Sequence, residues 1–350
     1  MNFRSDNEAP AAPEIMEALA RANQGSSHSY GADAITARLQ KRFSDLFDTA
    51  VSVFPVATGT AANSLSLAEL VPPYGAVFCH EHSHIHTDEC GAPEFYTGGA
   101  KLMPVQGEHG KIDPTRLESM IAGMGGHGEH EPAPVALSLT QATEAGTVYT
   151  IDQVEALGDL AKRHGLALHM DGARFANALS TLKCHPADIT WRAGVDMLSF
   201  GATKNGALAA EAVVDFRRPE KRAPHESLRR RRMRGGHLFS KMRFLSAQLE
   251  TYVEDGLWLD LAGRANAAAA KLAAGLADCP NVALLYPVEA NELFLHVEPS
   301  AVAALSDAGF EFHQWPGLEP VIRLVVPYNV DDDTVARLIA CVSASGRRDP

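Results

Sequence analysis

Short apolar runs alternate with stretches of helical periodicity along the first 250 residues. The runs at 51–56, 75–79, 134–139 and 166–171 are typical of buried strands. Between them, apolar residues recur every three or four positions, as they do along one face of a helix. Strands that alternate with helices favour a mainly parallel sheet with right-handed crossovers, so the pattern predicts an α/β fold.

The pattern changes near residue 250. An alanine-rich helix at 262–277 is followed by several short strands and a final helix. We therefore expect a large parallel-sheet domain over residues 1–250, with an N-terminal arm at 1–25. A smaller α+β C-terminal domain is expected over 251–350.

Polar and ionisable residues follow several of the predicted strands. Thr60, Thr143, Asp171 and Lys204 each come just after one of them. In parallel sheets of this kind, ligands bind at the carboxyl ends of the strands. We therefore expect these four side chains to lie together at one edge of the sheet.

Lys204 lies in a turn of small residues after the apolar run 195–198, which is an unusual place for lysine. An ε-amine in a desolvated site has a lowered pKa and can form a Schiff base with a carbonyl. Asp171 ends another apolar strand. A pyridoxal phosphate enzyme needs such a lysine and an acid that keeps the pyridine nitrogen protonated. A solvated loop lysine is the simpler interpretation of Lys204 alone, but the pair favours a cofactor site.

A candidate anion site follows the strand at 51–56. There, a turn of small residues leads into an apolar helix, whose free N–H groups and dipole attract a phosphate. Gly59 lets the backbone approach closely and Thr60 adds a hydroxyl, so Gly59, Thr60 and Ala61 are predicted to bind phosphate. An ordinary helix cap is the alternative.

Four histidines occupy every second position in one segment: His80, His82, His84 and His86. On a strand they would share one face, so a metal cluster is a possible interpretation. Metal ligands must converge on one point, whereas residues along a strand diverge. We therefore favour a single histidine that stacks on a planar cofactor.

Composition narrows the class of function. The chain has 350 residues and a net charge of −12, which argues against nucleic acid as a partner. No apolar run approaches the roughly 20 residues that span a bilayer, and the first residues do not resemble a signal peptide. Five scattered cysteines indicate reduced thiols in the cytoplasm. The basic run at 217–234 favours a solvated helix face or a salt-bridged subunit contact.

The motif Asp171-Gly172-Ala173-Arg174, together with Gly59-Thr60, Lys204 and Arg323, occurs in an order that resembles the low-specificity L-threonine aldolases. These are pyridoxal phosphate enzymes of the aspartate aminotransferase fold, fold type I. The resemblance begins at Arg4-Ser5-Asp6-Asn7 and runs nearly end to end. The segments 139–147 and 201–206 look like the branch that includes the phenylserine aldolases.

The resemblance implies a role for each matching residue. Lys204 would carry the cofactor, Asp171 would pair with its pyridine nitrogen, and His84 would stack on its ring and act as a base. The phosphate would be held by Gly59, Thr60 and a basic residue near Lys241 or Arg243. The substrate carboxylate would be bound by Ser5, Arg174 and Arg323. Many relatives have a histidine near Thr143 that this chain lacks, which leaves the β-hydroxyl proton to His84 or to an ordered water.

The implied reaction is the cleavage of β-hydroxy-α-amino acids such as L-threonine, L-allo-threonine or phenylserine to glycine and an aldehyde. A homotetramer with active sites at a dimer interface is implied as well. Another fold type I enzyme, such as a β-eliminating lyase, is the alternative within the class. A metal-dependent protein built on the histidine segment is the alternative outside it.

Overall fold

Two β-sheets organise the chain in the computed structural model, which describes residues 1–217, 225–315 and 320–345. One sheet has seven strands and the other has four. The strands are β1 Ser52–Val56, β2 Gly75–His80, β3 Lys101–Val105, β4 Ala133–Thr140, β5 Ala167–Gly172, β6 Met197–Gly201, β7 Glu211–Asp215, β8 Val282–Leu284, β9 Glu292–Val297, β10 His313–Gln314 and β11 Val321–Val325.

The seven-stranded sheet has the order β1-β7-β6-β5-β4-β2-β3. The pairs from β6 to β3 are parallel, whereas β7 runs antiparallel to both β6 and β1. The carboxyl ends of the other six strands therefore meet at one edge of the sheet. The reversed strand β7 brings its first residue, Glu211, to that same edge.

The described residues form thirteen α-helices, some of which pack on each face of this sheet. They are α1 Pro13–Ala22, α2 Ala34–Leu46, α3 Gly59–Leu70, α4 His84–Thr87, α5 Ala92–Thr97, α6 Pro114–Ala122, α7 Ile151–Arg163, α8 Phe175–Leu182, α9 Glu226–Arg234, α10 Arg243–Val253, α11 Leu257–Leu276, α12 Pro299–Asp307 and α13 Asp332–Ser345. Alternate strand residues face opposite layers, as period-two geometry requires. Phe54, Met197 and Val213 pack against α3, whereas Val53, Leu198 and Val214 join the core on the other face.

The four-stranded sheet is antiparallel and has the order β10-β11-β9-β8. Its core includes residues of α11, α12 and α13, together with Phe3 from the start of the chain. Phe3 donates its backbone N–H to Glu311 and accepts one from Val325, so the arm begins on the small sheet. The helix α11 contacts both α8 and α13. The division at residue 250 stays a prediction.

The predicted fold class is confirmed, since a mainly parallel sheet is joined to a smaller antiparallel unit. The histidine segment is different from the expected strand. The strand β2 ends at His80, and after a turn the helix α4 begins at His84, so the four histidines do not share one strand face. Part of the basic run, residues 218–224, lies outside the described residues.

Candidate active site

A cavity of about 280 Å³ opens at the carboxyl edge of the seven-stranded sheet. Its walls come from the turn after β1, the start of α3, the histidine segment and the ends of β5, β6 and β7. The lining residues are Asn7, Ala57, Thr58, Gly59, Thr60, Ala62, Asn63, His84, Glu89, Asp171, Ala173, Ser199, Phe200, Gly201, Thr203, Lys204 and Glu211.

One wall is the N-terminus of α3. Thr58 caps this helix, and its side chain accepts the N–H of Ala61 at 3.1 Å. Within the described part of the chain, the N–H groups of Gly59 and Thr60 have no hydrogen-bond acceptor. A Cβ added at Gly59 would meet no atom within 4 Å, so there is open space beside this backbone. Free amides, a helix dipole and open space together suit a phosphate group.

The end of β5 contributes a fixed carboxylate to the wall. Asp171 is only 3% exposed, and its Oδ1 accepts the N–H of Ala173 at 3.0 Å. Its Oδ2 accepts a hydrogen bond from Nδ2 of Asn63 at 2.8 Å. The same amide nitrogen also donates to Glu89 Oε1 at 2.8 Å. The Asp171 carboxylate is therefore held by two hydrogen bonds. Asn63 of α3 binds Oδ2, and the Ala173 N–H binds Oδ1.

His84 is partly buried beside this pair. Its Nδ1 lies 2.8 Å from Oε1 of Glu89, whose side chain is fully buried. The hydrogen bond to Glu89 raises the pKa of the His84 imidazole above its ordinary value. With Nδ1 donating to the carboxylate, Nε2 is left as the nitrogen that can accept a proton.

Lys204 lies in a short turn that its neighbours hold firmly. The side chain of Asn205 donates to the hydroxyl of Tyr252 at 2.7 Å and to the carbonyl of Trp258 at 2.8 Å. Lys204 itself is half-buried, and its amine makes no hydrogen bond or ion pair within the described ranges. A partly desolvated amine without a fixed partner is available for chemistry.

A buried ionic cluster lies close to the cavity. Arg174 donates from Nε and Nη2 to Asp6 at 2.8 and 3.0 Å, and its Nη1 lies 3.1 Å from Glu292. Arg323 approaches the other oxygen of Glu292 at 3.8 Å. Burial raises the pKa of Asp6, but the charges of Arg174 and Lys204 outweigh that effect and hold it below the ordinary value.

The structure brings five of the predicted site residues to the cavity wall: Gly59, Thr60, His84, Asp171 and Lys204. The other predicted residues lie elsewhere. The N–H of Ala61 donates to the Thr58 side chain that caps α3. The Thr143 hydroxyl hydrogen-bonds to the Thr147 hydroxyl and to the His109 carbonyl. The Ser5 hydroxyl caps the backbone at Asn7, and Lys241 is exposed. Arg174 and Arg323 lie in the ionic cluster behind the wall.

The histidines do not form a metal site. His80 is buried and its Nε2 lies 3.1 Å from the Gly107 carbonyl, whereas His84 bonds Glu89. Throughout the described ranges, no three His, Cys, Asp or Glu side chains come together as metal ligands. The interpretation that a single histidine stacks on a cofactor stays a prediction.

The cavity residues that were missing from the sequence-based prediction include three with polar side chains inside the site: Asn63, Glu89 and Glu211. Asn63 lies four residues after Gly59, on the same face of α3, and that spacing was a usable signal. Glu89 and Glu211 reach the site only through tertiary structure. Glu144, which follows β4, is a further, half-buried carboxyl near Lys204, and desolvation raises its pKa.

These residues fit pyridoxal phosphate. The α3 N-terminus offers unpaired amides for a phosphate, and Lys204 offers an amine without a partner for an aldehyde. Asp171 offers a buried, oriented carboxylate for a ring nitrogen. One buried oxygen of Asn63 and one of Glu89 also lack a hydrogen-bond partner within the described residues.

This fold and site define a member of the beta-eliminating lyase family, whose sequence profile matches residues 2–300. The chain belongs to that family. It is 44% identical over 336 residues to the low specificity L-threonine aldolase of Pseudomonas aeruginosa, covering 96% of this chain and 95% of that one. A low specificity L-threonine aldolase from another Pseudomonas strain is 42% identical, with coverages of 98% and 97%.

A solved structure gives the same result. The threonine aldolase of Leishmania major superposes with a TM-score of 0.90 at 28% identity, covering 99% of both chains. The expected relation to the low-specificity threonine aldolases is confirmed.

Proposed function

We propose that this protein is a pyridoxal phosphate-dependent aldehyde-lyase that cleaves β-hydroxy-α-amino acids to glycine and an aldehyde. The observation that carries the proposal is the convergence of Lys204, Asp171 and His84 on one cavity with the open N-terminus of α3. The similarity to threonine aldolases along nearly the whole chain supports the same assignment.

The cofactor's phosphate would be held by the amides of Gly59 and Thr60, its ring nitrogen by Asp171, and its aldehyde carbon by Lys204. When bound, pyridoxal phosphate supplies an electron sink for the pair released as the Cα–Cβ bond breaks. Asn63 keeps the Asp171 carboxylate oriented. Lys241 remains a candidate for the phosphate site, and Thr143 and Arg174 remain candidates for other contacts with the cofactor, although none of the three lies on the cavity wall.

His84 is the candidate base for the substrate's β-hydroxyl. Its Nδ1 is held by Glu89, so Nε2 accepts the proton and the resulting imidazolium is stabilised by the adjacent carboxylate. The charges of Asp171 and Glu144 also raise the pKa of His84, whereas the charge of Lys204 lowers it. A positioned side chain that moves a proton typically contributes about 10²- to 10⁴-fold to the rate.

Arg174 and Arg323 are the candidates for the substrate carboxylate, with Ser5 as a further candidate. Asp6 and Glu292 both bind the Arg174 guanidinium, and Glu292 also lies 3.8 Å from the Arg323 guanidinium. A pair of oriented guanidinium groups suits a planar carboxylate.

Product analysis tests the reaction. Purified protein with the cofactor is incubated with L-threonine, L-allo-threonine and phenylserine, and the products are quantified. We expect glycine and acetaldehyde or benzaldehyde in equal amounts. Ammonia and a keto acid without glycine would instead assign the protein to β-elimination, the reaction for which the family is named.

The proposal extends to assembly and location. A homotetramer, as a dimer of dimers, is supported by large apolar side chains on the surface, including Phe95 at 81% and Tyr74 at 71% exposure. A cytoplasmic location is supported by five cysteines that all carry free thiols. None of the described helices is long and apolar enough to cross a membrane.

A further inference from the structure

Glu211 is a buried carboxyl in the cavity wall for which the proposed reaction has no role. It is 7% exposed and lines the cavity with Gly201, Thr203 and Lys204. A carboxylate is costly to bury unless nearby groups compensate for the lost water. Its presence beside the reactive lysine therefore calls for a physical reason.

The sheet topology places Glu211 there. It is the first residue of β7, the strand that runs against its neighbours, and it pairs with Gly201 of β6 and Val56 of β1. Gly201 leads into the turn that bears Lys204, and Val56 leads into the turn that opens α3. Glu211 thus lies between the lysine turn and the predicted phosphate site.

The carboxylate holds the lysine turn directly. Oε2 of Glu211 accepts the backbone N–H of Ala202 at 2.8 Å, and Thr203 also hydrogen-bonds to this carboxyl. Ala202 and Thr203 are the two residues that precede Lys204. The Thr203 hydroxyl is in turn tied to the backbone of Ala210, the neighbour of Glu211. These hydrogen bonds fix the backbone position from which the Lys204 side chain extends.

The charge of Glu211 also acts on Lys204. Burial raises the pKa of the Glu211 carboxyl to about 7, while the hydrogen bonds from Thr203 and Ala202 and the charge of Lys204 favour ionisation, so the carboxyl is negatively charged above about pH 7. Of the described groups that face it, Lys204 and Tyr252 are titratable, and burial raises the pKa of Tyr252 so that its phenol stays neutral. Lys204 is thus a charged group that interacts with this carboxyl, and the carboxyls of Asp6 and Glu144 interact with Lys204 as well.

We propose that Glu211 is a positioning residue that fixes the Ala202–Lys204 turn and supplies a negative charge that stabilises positive charge on the Lys204 nitrogen. The proposal rests on the proposed function, because the charge on the Lys204 nitrogen is followed through the visible absorbance of the bound cofactor. The Glu211 carboxyl would thus have two separable effects: its hydrogen bond holds the Ala202 N–H, and its charge acts on the Lys204 nitrogen.

Two variants separate these effects in the cofactor-loaded protein. Glu211→Gln keeps an oxygen for the Ala202 N–H but removes the charge, whereas Glu211→Ala removes both. Glu226→Gln, an exposed acid that pairs with Arg230, is the matched control. For each protein, the visible absorbance of bound cofactor is titrated with pH, and the cofactor's Kd is measured by titrating cofactor-free protein.

We expect Glu211→Gln to lower the pH midpoint of the absorbance change by about one unit, because a nearby opposite charge is lost. We expect Glu211→Ala to show the same shift and a cofactor Kd raised about tenfold, because an oriented hydrogen bond to the turn is lost. The control should match the parent protein in both quantities.

An unshifted midpoint in Glu211→Gln would overturn the proposal. So would an unchanged Kd in a folded Glu211→Ala protein. If Glu211→Ala does not fold, Glu211→Gln still decides. A parent protein without any cofactor absorbance would instead count against the proposed function, so the two failures are distinguishable.

Discussion

Asp6 binds Arg174 through two hydrogen bonds of 2.8 and 3.0 Å, although the two residues are separated by nearly half the chain. Both side chains are almost fully buried. Asn291 donates to the same Asp6 carboxylate at 3.1 Å, which joins the arm to the small sheet. The N-terminal arm therefore orients an arginine that is a candidate to bind the substrate carboxylate.

This pairing predicts the effect of neutralising Asp6. In Asp6→Asn, Arg174 loses a charge-assisted partner, and such bonds are worth about 1.5–3 kcal/mol. If Arg174 binds the substrate carboxylate, KM for L-threonine should rise about tenfold or more, with a smaller change in kcat. Steady-state kinetics measure both. Glu8→Gln, which alters an exposed acid bound to Arg4, is the control, and equal KM values for the two variants would remove Asp6 from the site.

Asp171, the proposed partner of the cofactor's ring nitrogen, should matter more for the catalytic rate than for folding. Asp171→Ala, or the closer mimic Asp171→Asn, should lower kcat about 10²-fold or more, because preorganised electrostatic stabilisation is lost. Circular dichroism and Tm should stay close to those of the parent. Asp188→Asn, at a partly exposed acid paired with Arg192, serves as the control. A folded Asp171→Asn protein with undiminished kcat would refute the role of Asp171.

Glu89 should set the pH range of the reaction. Its carboxylate raises the pKa of His84, and a base acts only when it is neutral, so the rate rises with pH through that pKa. Removing the charge in Glu89→Gln lowers the pKa of His84, and the acidic limb of kcat/KM should move to lower pH by about one unit. A pH–rate profile beside the exposed-acid control Asp88→Asn checks this. A limb that stays in place would argue that His84 is not the base.

Glu211 also predicts a pH-dependent stability. Its pKa is raised from 4.5 to about 7, so between these values the folded chain keeps a proton that the unfolded chain releases. The stability associated with this group is present below pH 4.5 and is lost as the pH rises through 7. Glu211→Gln has no proton to release at this position and so does not lose this stability. The difference between its free energy of unfolding and that of the parent should therefore grow in favour of the variant between pH 5 and 8. Urea unfolding at several pH values measures it, and a constant difference would contradict the burial effect.

Metal removal should leave the reaction intact. His80 and His84 have protein partners of their own, the Gly107 carbonyl and Glu89. Protein treated with a chelator and shown by elemental analysis to be metal-free should cleave L-threonine at the parent rate. Activity that is lost on chelation and restored by a divalent cation would instead support a metal-dependent protein built on the histidine segment.

The parts of the site that the sequence predicted are those with local signals. Gly59 and Thr60 follow an apolar strand and open a helix, and Asp171 and Lys204 end apolar strands. Because parallel strands share an edge, these local signals were enough to bring four residues together. The fold class followed from the same alternation of strands and helices.

The other residues depend on contacts between distant segments. Glu211 reaches the site because β7 is reversed, and nothing in its own sequence indicates that direction. Arg174 was predicted from its motif, but its binding to Asp6 and Glu292 joins three distant segments. Thr143 was predicted from its place after β4, yet its hydroxyl is directed to Thr147 and a backbone carbonyl. The histidine pattern suggested a strand, but β2 ends at His80.

The central claim is that Lys204 carries pyridoxal phosphate in this cavity. The most direct measurement is the visible absorbance of the purified protein before and after borohydride, beside Lys204→Ala and the exposed-lysine control Lys162→Ala. We predict a yellow band that borohydride bleaches, with cofactor fixed to the peptide containing Lys204. The band should be present in the control and missing from Lys204→Ala. A colourless protein that pyridoxal phosphate does not reconstitute, or a reducible band that survives in Lys204→Ala, would contradict the account.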